Sequence, residues 1–211
     1  MPNVTAGAQT KWLDLTALCQ RFLPLVAQAR GSSASLQEIW FFSAPPTHRS
    51  QEKQARHALY VTCLRGTGVH VSLAQFKRAK EKETDVAIAA KLFEICHTDV
   101  TDSTVLVSGD TDLAPAVRTC LRLFPEKTLL LAFPYRRVND ELRLLALGSF
   151  KIKAKTYGHV LSSGVTPSLH LLADHAASCS TNAGSSFVCS PATLLSSFAV
   201  VCAFSKAPTD M

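Results

Sequence analysis

From Trp12 to Ala29 the apolar residues Trp12, Leu15, Leu18, Cys19, Phe22, Leu23 and Val26 recur at helical spacing. The pattern predicts an amphipathic helix stopped by Gly31-Ser32-Ser33. Ile39–Ser43 is a short apolar run ahead of Pro45-Pro46, which reads as a buried strand followed by a loop. Gln51 to Leu64 is the next predicted helix, with Ala55, Ala58, Leu59 and Cys63 turned inward and Arg49, Lys53 and Arg56 toward water. After Gly66 and Gly68 comes a strand from Val69 to Leu73. A charged stretch, Lys77 to Glu83, then leads into a helix from Asp85 to His97. Strands at Thr104–Ser108 and Thr128–Phe133 flank a helix from Leu113 to Phe124. Val138 to Leu147 reads as the last helix, and Phe150 to Ala154 has the alternation of a strand. Strands alternating with helices predict an α/β chain: a central, mainly parallel sheet covered on both faces, in three α/β/α layers.

Composition divides the chain near Gly158. Residues 159–211 hold eleven serines, one Lys, two Asp, no Arg and no Glu, so this stretch lacks the charged faces that amphipathic helices need. The expected organisation is a domain over residues 1–157 and a Ser-rich, poorly ordered tail over residues 158–211. Phe187 to Phe204 is free of charge for eighteen residues, the lower limit for a membrane span. Pro191, the serines and the lack of a basic flank on its N-terminal side argue against a span. A poorly ordered extension or an altered reading frame is the expectation.

The whole chain of 211 residues is 47% hydrophobic and 18% charged, enough for one full core. Its formal net charge of +6 favours an anionic partner such as nucleic acid, although many ordinary soluble proteins share that balance. Seven cysteines never form a C-x-x-C pair, and are read as reduced thiols of a cytoplasmic protein without a structural zinc site. No basic stretch followed by an apolar one opens the chain, so no secretory signal is expected. The histidines at 48, 57, 70, 97, 159, 170 and 175 contain neither H-x-x-x-H nor H-E-x-x-H, which argues against a zinc enzyme. Gly66-Thr67-Gly68 is only an incomplete echo of a dinucleotide loop, and the P-loop and G-x-S-x-G patterns are absent from the sequence.

One motif carries chemistry. Val105-Leu106-Val107-Ser108-Gly109-Asp110-Thr111-Asp112 brings two carboxylates to the C-terminal end of an apolar strand, the edge where open α/β sheets hold ligands. Asp85, at the start of the preceding helix, adds a third. Three carboxylates at element ends are a candidate site for a hard divalent cation. The alternative is structural, with Asp110 as a turn residue and Asp112 as a helix N-cap.

Several blocks together resemble the NYN domains of the PIN-like nuclease fold, the group that includes LabA-like proteins: Lys11-Trp12-Leu13-Asp14-Leu15, Glu81 to Ala87, Val107 to Val117, and Phe133-Pro134 followed by Asn139-Asp140-Glu141-Leu142. They stand in family order over roughly residues 3–157. The resemblance implies a PIN-like (Rossmann-like) fold in which Asp85, Asp110 and Asp112 belong to an acidic cluster holding Mg²⁺ or Mn²⁺. It also implies hydrolysis of RNA phosphodiester bonds by a bacterial, cytoplasmic enzyme. Asn3, Lys80, Lys82, Arg136 and Arg137 are the expected substrate contacts, with Lys77, Arg78 and Tyr135 nearby; a solvated loop is the alternative for the basic residues.

In one respect the chain departs from that pattern. Members of the family open with a central strand ending in Asp-Gly-x-Asn, whose Asp completes the cluster, and Asn3 matches the last residue of that turn. The strand and its Asp are therefore expected just before Met1, as if the start had been assigned too late. Without them, the strands matching Ile39–Ser43 and Thr104–Ser108 are expected to lose ladder partners, at about 1–3 kcal/mol for each buried unpaired group. Two other readings stand beside the nuclease. Some NYN relatives with the Lys-Trp-Leu start are described as NADH-dependent hydroxylases of 6-hydroxy-3-succinoylpyridine, and a non-catalytic RNA-binding relative fits the missing carboxylate.

Overall fold

The computed structural model describes residues 13–47, 49–74, 76–77, 80–81, 83–146, 148–161 and 198–207. In chain order the elements are α1 (Leu15–Gln20), α2 (Leu23–Arg30), β1 (Ala34–Ser43), α3 (Gln51–Gly66), β2 (His70–Leu73), β3 (Phe76–Lys77), β4 (Lys80–Glu81) and α4 (Thr84–His97). There follow β5 (Ser103–Val107), a 3₁₀ turn at Thr111–Leu113, α5 (Ala114–Leu123), β6 (Thr128–Phe133), α6 (Asp140–Leu145), β7 (Gly148–Lys151), α7 (Ala154–Leu161) and β8 (Phe198–Lys206).

The single N-terminal helix expected from its periodicity is broken in two at Arg21-Phe22. Pro24 sits in the first turn of α2, a position that tolerates the missing N–H but does not continue a helix from before. Gly31 closes α2 in a left-handed conformation, φ 71°, which glycine adopts without steric cost. Val138–Leu147 is not the last helix, because α7 follows β7 and runs past Tyr157 to Leu161, burying Tyr157 and Val160.

Six strands form one sheet in the order β2-β1-β8-β5-β6-β7, and β3 pairs with β4 as a separate hairpin. β1 and β2, β5 and β6, and β6 and β7 are parallel pairs. β8 is antiparallel to both of its neighbours, β1 and β5. The sheet is therefore mainly parallel, with one reversed strand at its centre and helices on both faces.

β8 corrects the expectation of a poorly ordered tail over its nine residues. It lies between β1 and β5, in the slot that the family pattern gives to the opening strand, so the ladder groups of these two strands find partners after all. Its sequence explains the placement. Ala199 to Phe204 is uncharged and apolar at every position, the composition of a strand buried on both faces. Val200, Cys202 and Phe204 join the core under α1, α2 and α7, while Ala199, Val201 and Ala203 join the core under α4, α5 and α6.

Polar contacts fix the far end of β8. The Asp102 carboxylate accepts from the Lys206 backbone N–H at 3.0 Å and pairs with Arg30 Nη2 at 3.0 Å. Gln37 Nε2 donates to Ser205 Oγ at 2.7 Å. Cys19 of α1 and Cys202 of β8 are both fully buried and bring their sulfurs together where α1 meets β8. Among the described residues no helix is long and apolar enough to cross a membrane.

Candidate nucleic-acid interface

The parallel strands all end on one edge of the sheet, and the conspicuous motif of the sequence lies there. β5 ends at Val107, and the buried Ser108 hydroxyl accepts from the Asp110 backbone N–H at 3.1 Å. Asp110 is the N-cap of the 3₁₀ turn, its Oδ1 accepting from the Asp112 N–H at 3.1 Å. Pro115 then opens α5. Of the structural alternatives raised for the two carboxylates, the capping role falls to Asp110 rather than Asp112. Both side chains face solvent.

Beside this turn stands the loop after β6. Pro134 O accepts from the Arg137 N–H at 2.9 Å, closing a tight turn, and Arg136 adopts a left-handed backbone, φ 62°. A residue with a β-carbon holds that conformation at a cost of about 1–2 kcal/mol. Two contacts keep the loop there. The Tyr135 N–H reaches Tyr157 Oη at 3.5 Å, with burial pushing the Tyr157 phenol up to about 12. The Arg137 carbonyl packs against Gly109 where a side chain would otherwise stand. Arg136 and Arg137 are both exposed, and the Arg136 guanidinium lies 5.2 Å from the Tyr135 ring centre. Farther along, Asn139 caps α6 through the Leu142 N–H at 3.1 Å, and Glu141 is bound to Arg118 of α5 at 2.7 Å.

Asp110, Asp112, Arg136 and Arg137 are thus held on adjoining loops of one edge. Asp85 is exposed in the first turn of α4, two residues after the N-cap Glu83, whose φ is 97°. Lys80 is placed only by its backbone, paired with Lys77 across the β3–β4 hairpin; Asn3 and Lys82 lie outside the described residues. Sequence reading missed the roles of Gly109 and Tyr157 in holding the arginine loop. It also missed His57, whose Nε2 lies 3.0 Å from the buried Ser43 hydroxyl at the end of β1, and whose pKa burial lowers. Only the glycine after Ser108 hinted at a close backbone approach.

The model of the NYN domain matches residues 5–146, more than half of the chain. The chain belongs to the NYN domain family. Membership places this NYN domain among nuclease-like, RNA-related proteins with a PIN-like fold, in accord with the six-stranded sheet. A solved protein of unknown function from Vibrio parahaemolyticus resembles it at 22% identity and a TM-score of 0.41, over 53% of this chain and 66% of that one. No curated protein gives a significant match.

A divalent metal is the cofactor typical of PIN-like nucleases. Among the described residues no three His, Cys, Asp or Glu side chains group as metal ligands. The Asp110 carboxylate accepts the Asp112 N–H through Oδ1 alone, and β8, the strand beside β5, carries no carboxylate along its length. Ca²⁺ and Mg²⁺ need several oxygens converging on one point. Beside the two carboxylates the edge presents two solvent-facing arginines on a braced loop.

Proposed function

We propose that this NYN domain binds single-stranded RNA along the C-terminal edge of its sheet and does not cleave it. The observation that carries this reading is the central strand: β8 fills the slot whose family counterpart supplies the completing Asp, and its residues Phe198 to Lys206 offer no carboxylate there. Arg136 and Arg137 remain as phosphate contacts, and guanidinium groups suit phosphate because their planar donors match its oxygens. Lys80 and Lys82 belong to the basic stretch that precedes α4 in the sequence, and the net charge of +6 favours encounter with a polyanion.

The test is fluorescence anisotropy with a labelled single-stranded RNA, followed by incubation of the same RNA with Mg²⁺ or Mn²⁺ and analysis of its length. Salt-dependent binding with full-length RNA recovered is the expected result. A second reading is favoured by the exposure of Asp110 and Asp112 beside the arginine loop: a Mg²⁺- or Mn²⁺-dependent ribonuclease using Asp85, Asp110 and Asp112. Metal-dependent shortening of the RNA, lost in Asp110→Asn, would establish that reading and overturn the first.

A further inference from the structure

β1 and β2 end together, with Ser43 opposite Leu73 in the parallel register. Beyond β1, Pro45 and Pro46 lead the chain toward α3, which returns alongside β2. Between these parts lies a cleft of about 370 Å³, within the size range of small-ligand sites. Pro45, Pro46, Val61 and Leu73 give it apolar walls, and His57 and Arg65 of α3 contribute polar groups. None of its lining residues is acidic.

The polar side chains here are either spent or available. Gln54 Nε2 donates to the Thr47 and Arg49 carbonyls at 3.2 and 2.8 Å, and Thr62 Oγ1 to the Ala58 carbonyl at 3.1 Å. His57 engages the Ser43 hydroxyl through Nε2, which leaves Nδ1 for a ligand. Arg65 is exposed and meets no carboxylate among the described residues. The same holds for Arg49 and Lys53, next to Gln54 at the start of α3. Apolar walls beside unneutralised cations suit a ligand that joins a ring to negative charge.

β8 relates this cleft to the arginine loop. Its Phe198 pairs with Ser43 and its Val200 with Val107, so β1 and β5 end on the same edge, and β6 runs parallel beside β5. From β1 to β6 the sheet order counts three strand spacings, about 14 Å, a gap that one short strand of RNA crosses. We propose that the cleft holds one nucleotide of a bound single-stranded RNA, its base against Pro45, Pro46 and Leu73 and its phosphate at Arg65. The inference rests on the RNA-binding reading and goes beyond it by naming a second contact, on α3, that the bound strand reaches from the arginine loop.

The experiment titrates the full chain in EDTA with a labelled oligouridylate at several salt concentrations, and follows the His57 ring signals by NMR as uridine 5′-monophosphate is added. Wild type is expected to bind the oligouridylate, and the mononucleotide to move the His57 signals more than inorganic phosphate does. Ala58 is exposed and lines the cleft, so Ala58→Trp fills it from the helix surface. That variant should weaken oligouridylate binding about tenfold, from the loss of one held base, and abolish the His57 response. Arg65→Gln, at an exposed position that folding does not need, should weaken binding and lower the salt slope by about one. Wild-type affinity retained by either variant would overturn the cleft while leaving RNA binding intact. So would a His57 response that persists in Ala58→Trp, or one that inorganic phosphate reproduces in full. Failure of wild type to bind the oligouridylate would overturn RNA binding itself.

Discussion

Gly109 and Arg137 approach so closely that the Arg137 carbonyl oxygen leaves no room for a β-carbon on residue 109. The contact joins the carboxylate turn after β5 to the arginine loop after β6, and makes them one rigid edge. Gly109→Ala forces the two apart. We expect a stability loss of about 1–3 kcal/mol, the usual cost of overpacking, together with weaker RNA binding as Arg136 and Arg137 shift. Urea denaturation and anisotropy measured on the same variant check both. An unchanged unfolding midpoint would show that the loop yields freely.

Asp110 holds its own turn through the Asp112 N–H. Asp110→Asn keeps an acceptor for that bond and should unfold within a few tenths of a kcal/mol of wild type, whereas Asp110→Ala should lose about 1 kcal/mol. RNA affinity should rise modestly in both, since each removes a negative charge from an edge proposed to meet phosphate. Lower affinity in both would argue that the carboxylate contributes to binding, as it does in the ribonuclease reading.

β8 is tested by Phe204→Ala. Phe204 is fully buried in the core beneath α1, α2 and α7, and its removal should cost about 3–5 kcal/mol. That is a large share of a typical stability of about 5–15 kcal/mol. Thermal unfolding should fall steeply. A melting temperature close to that of wild type would mean that β8 is dispensable to the sheet.

A pH effect follows from His57. Burial lowers its pKa below the ordinary histidine value of 6.5, so the unfolded chain takes up a proton more readily than the folded one. Stability is then fully present above about pH 6.5 and falls as the pH drops toward the folded value. Denaturant midpoints measured downward from neutral pH should decline, and the decline should be shallower in His57→Gln. An identical slope in the variant would remove His57 from the account.

Much of the architecture was written in local patterns. Val105 to Val107 and Leu129 to Phe133 are unbroken apolar runs, as strands covered on both faces must be, and the carboxylate motif follows directly at the end of β5. Residue families that span several blocks identified the NYN domain. What escaped were relationships that no local window contains. Ala199 to Phe204 looks alike whether it is a membrane segment, an extension or a buried strand, and the serines before it weighted the reading toward disorder. Its slot is defined by β1 and β5, which are far away in sequence. The cleft between Leu73 and Arg65 depends on how α3 lies against β2, and the meeting of Gly109 with Arg137 on two loops packing side by side. Pro24 is the opposite case: the signal that splits α1 from α2 was present, and the apolar spacing that runs through it concealed the break.

The place of β8 also sets an order of events. Its two partners and the rest of the sheet are all synthesised before it, yet it is the strand that joins β2 and β1 to β5, β6 and β7. Until Phe198 to Lys206 emerge, the chain holds two separate half-sheets with open edges. Closure then requires contacts spanning most of the sequence, which slow folding and prolong exposure of sticky intermediates. This protein is therefore expected to depend on chaperones during its synthesis more heavily than its size alone would indicate.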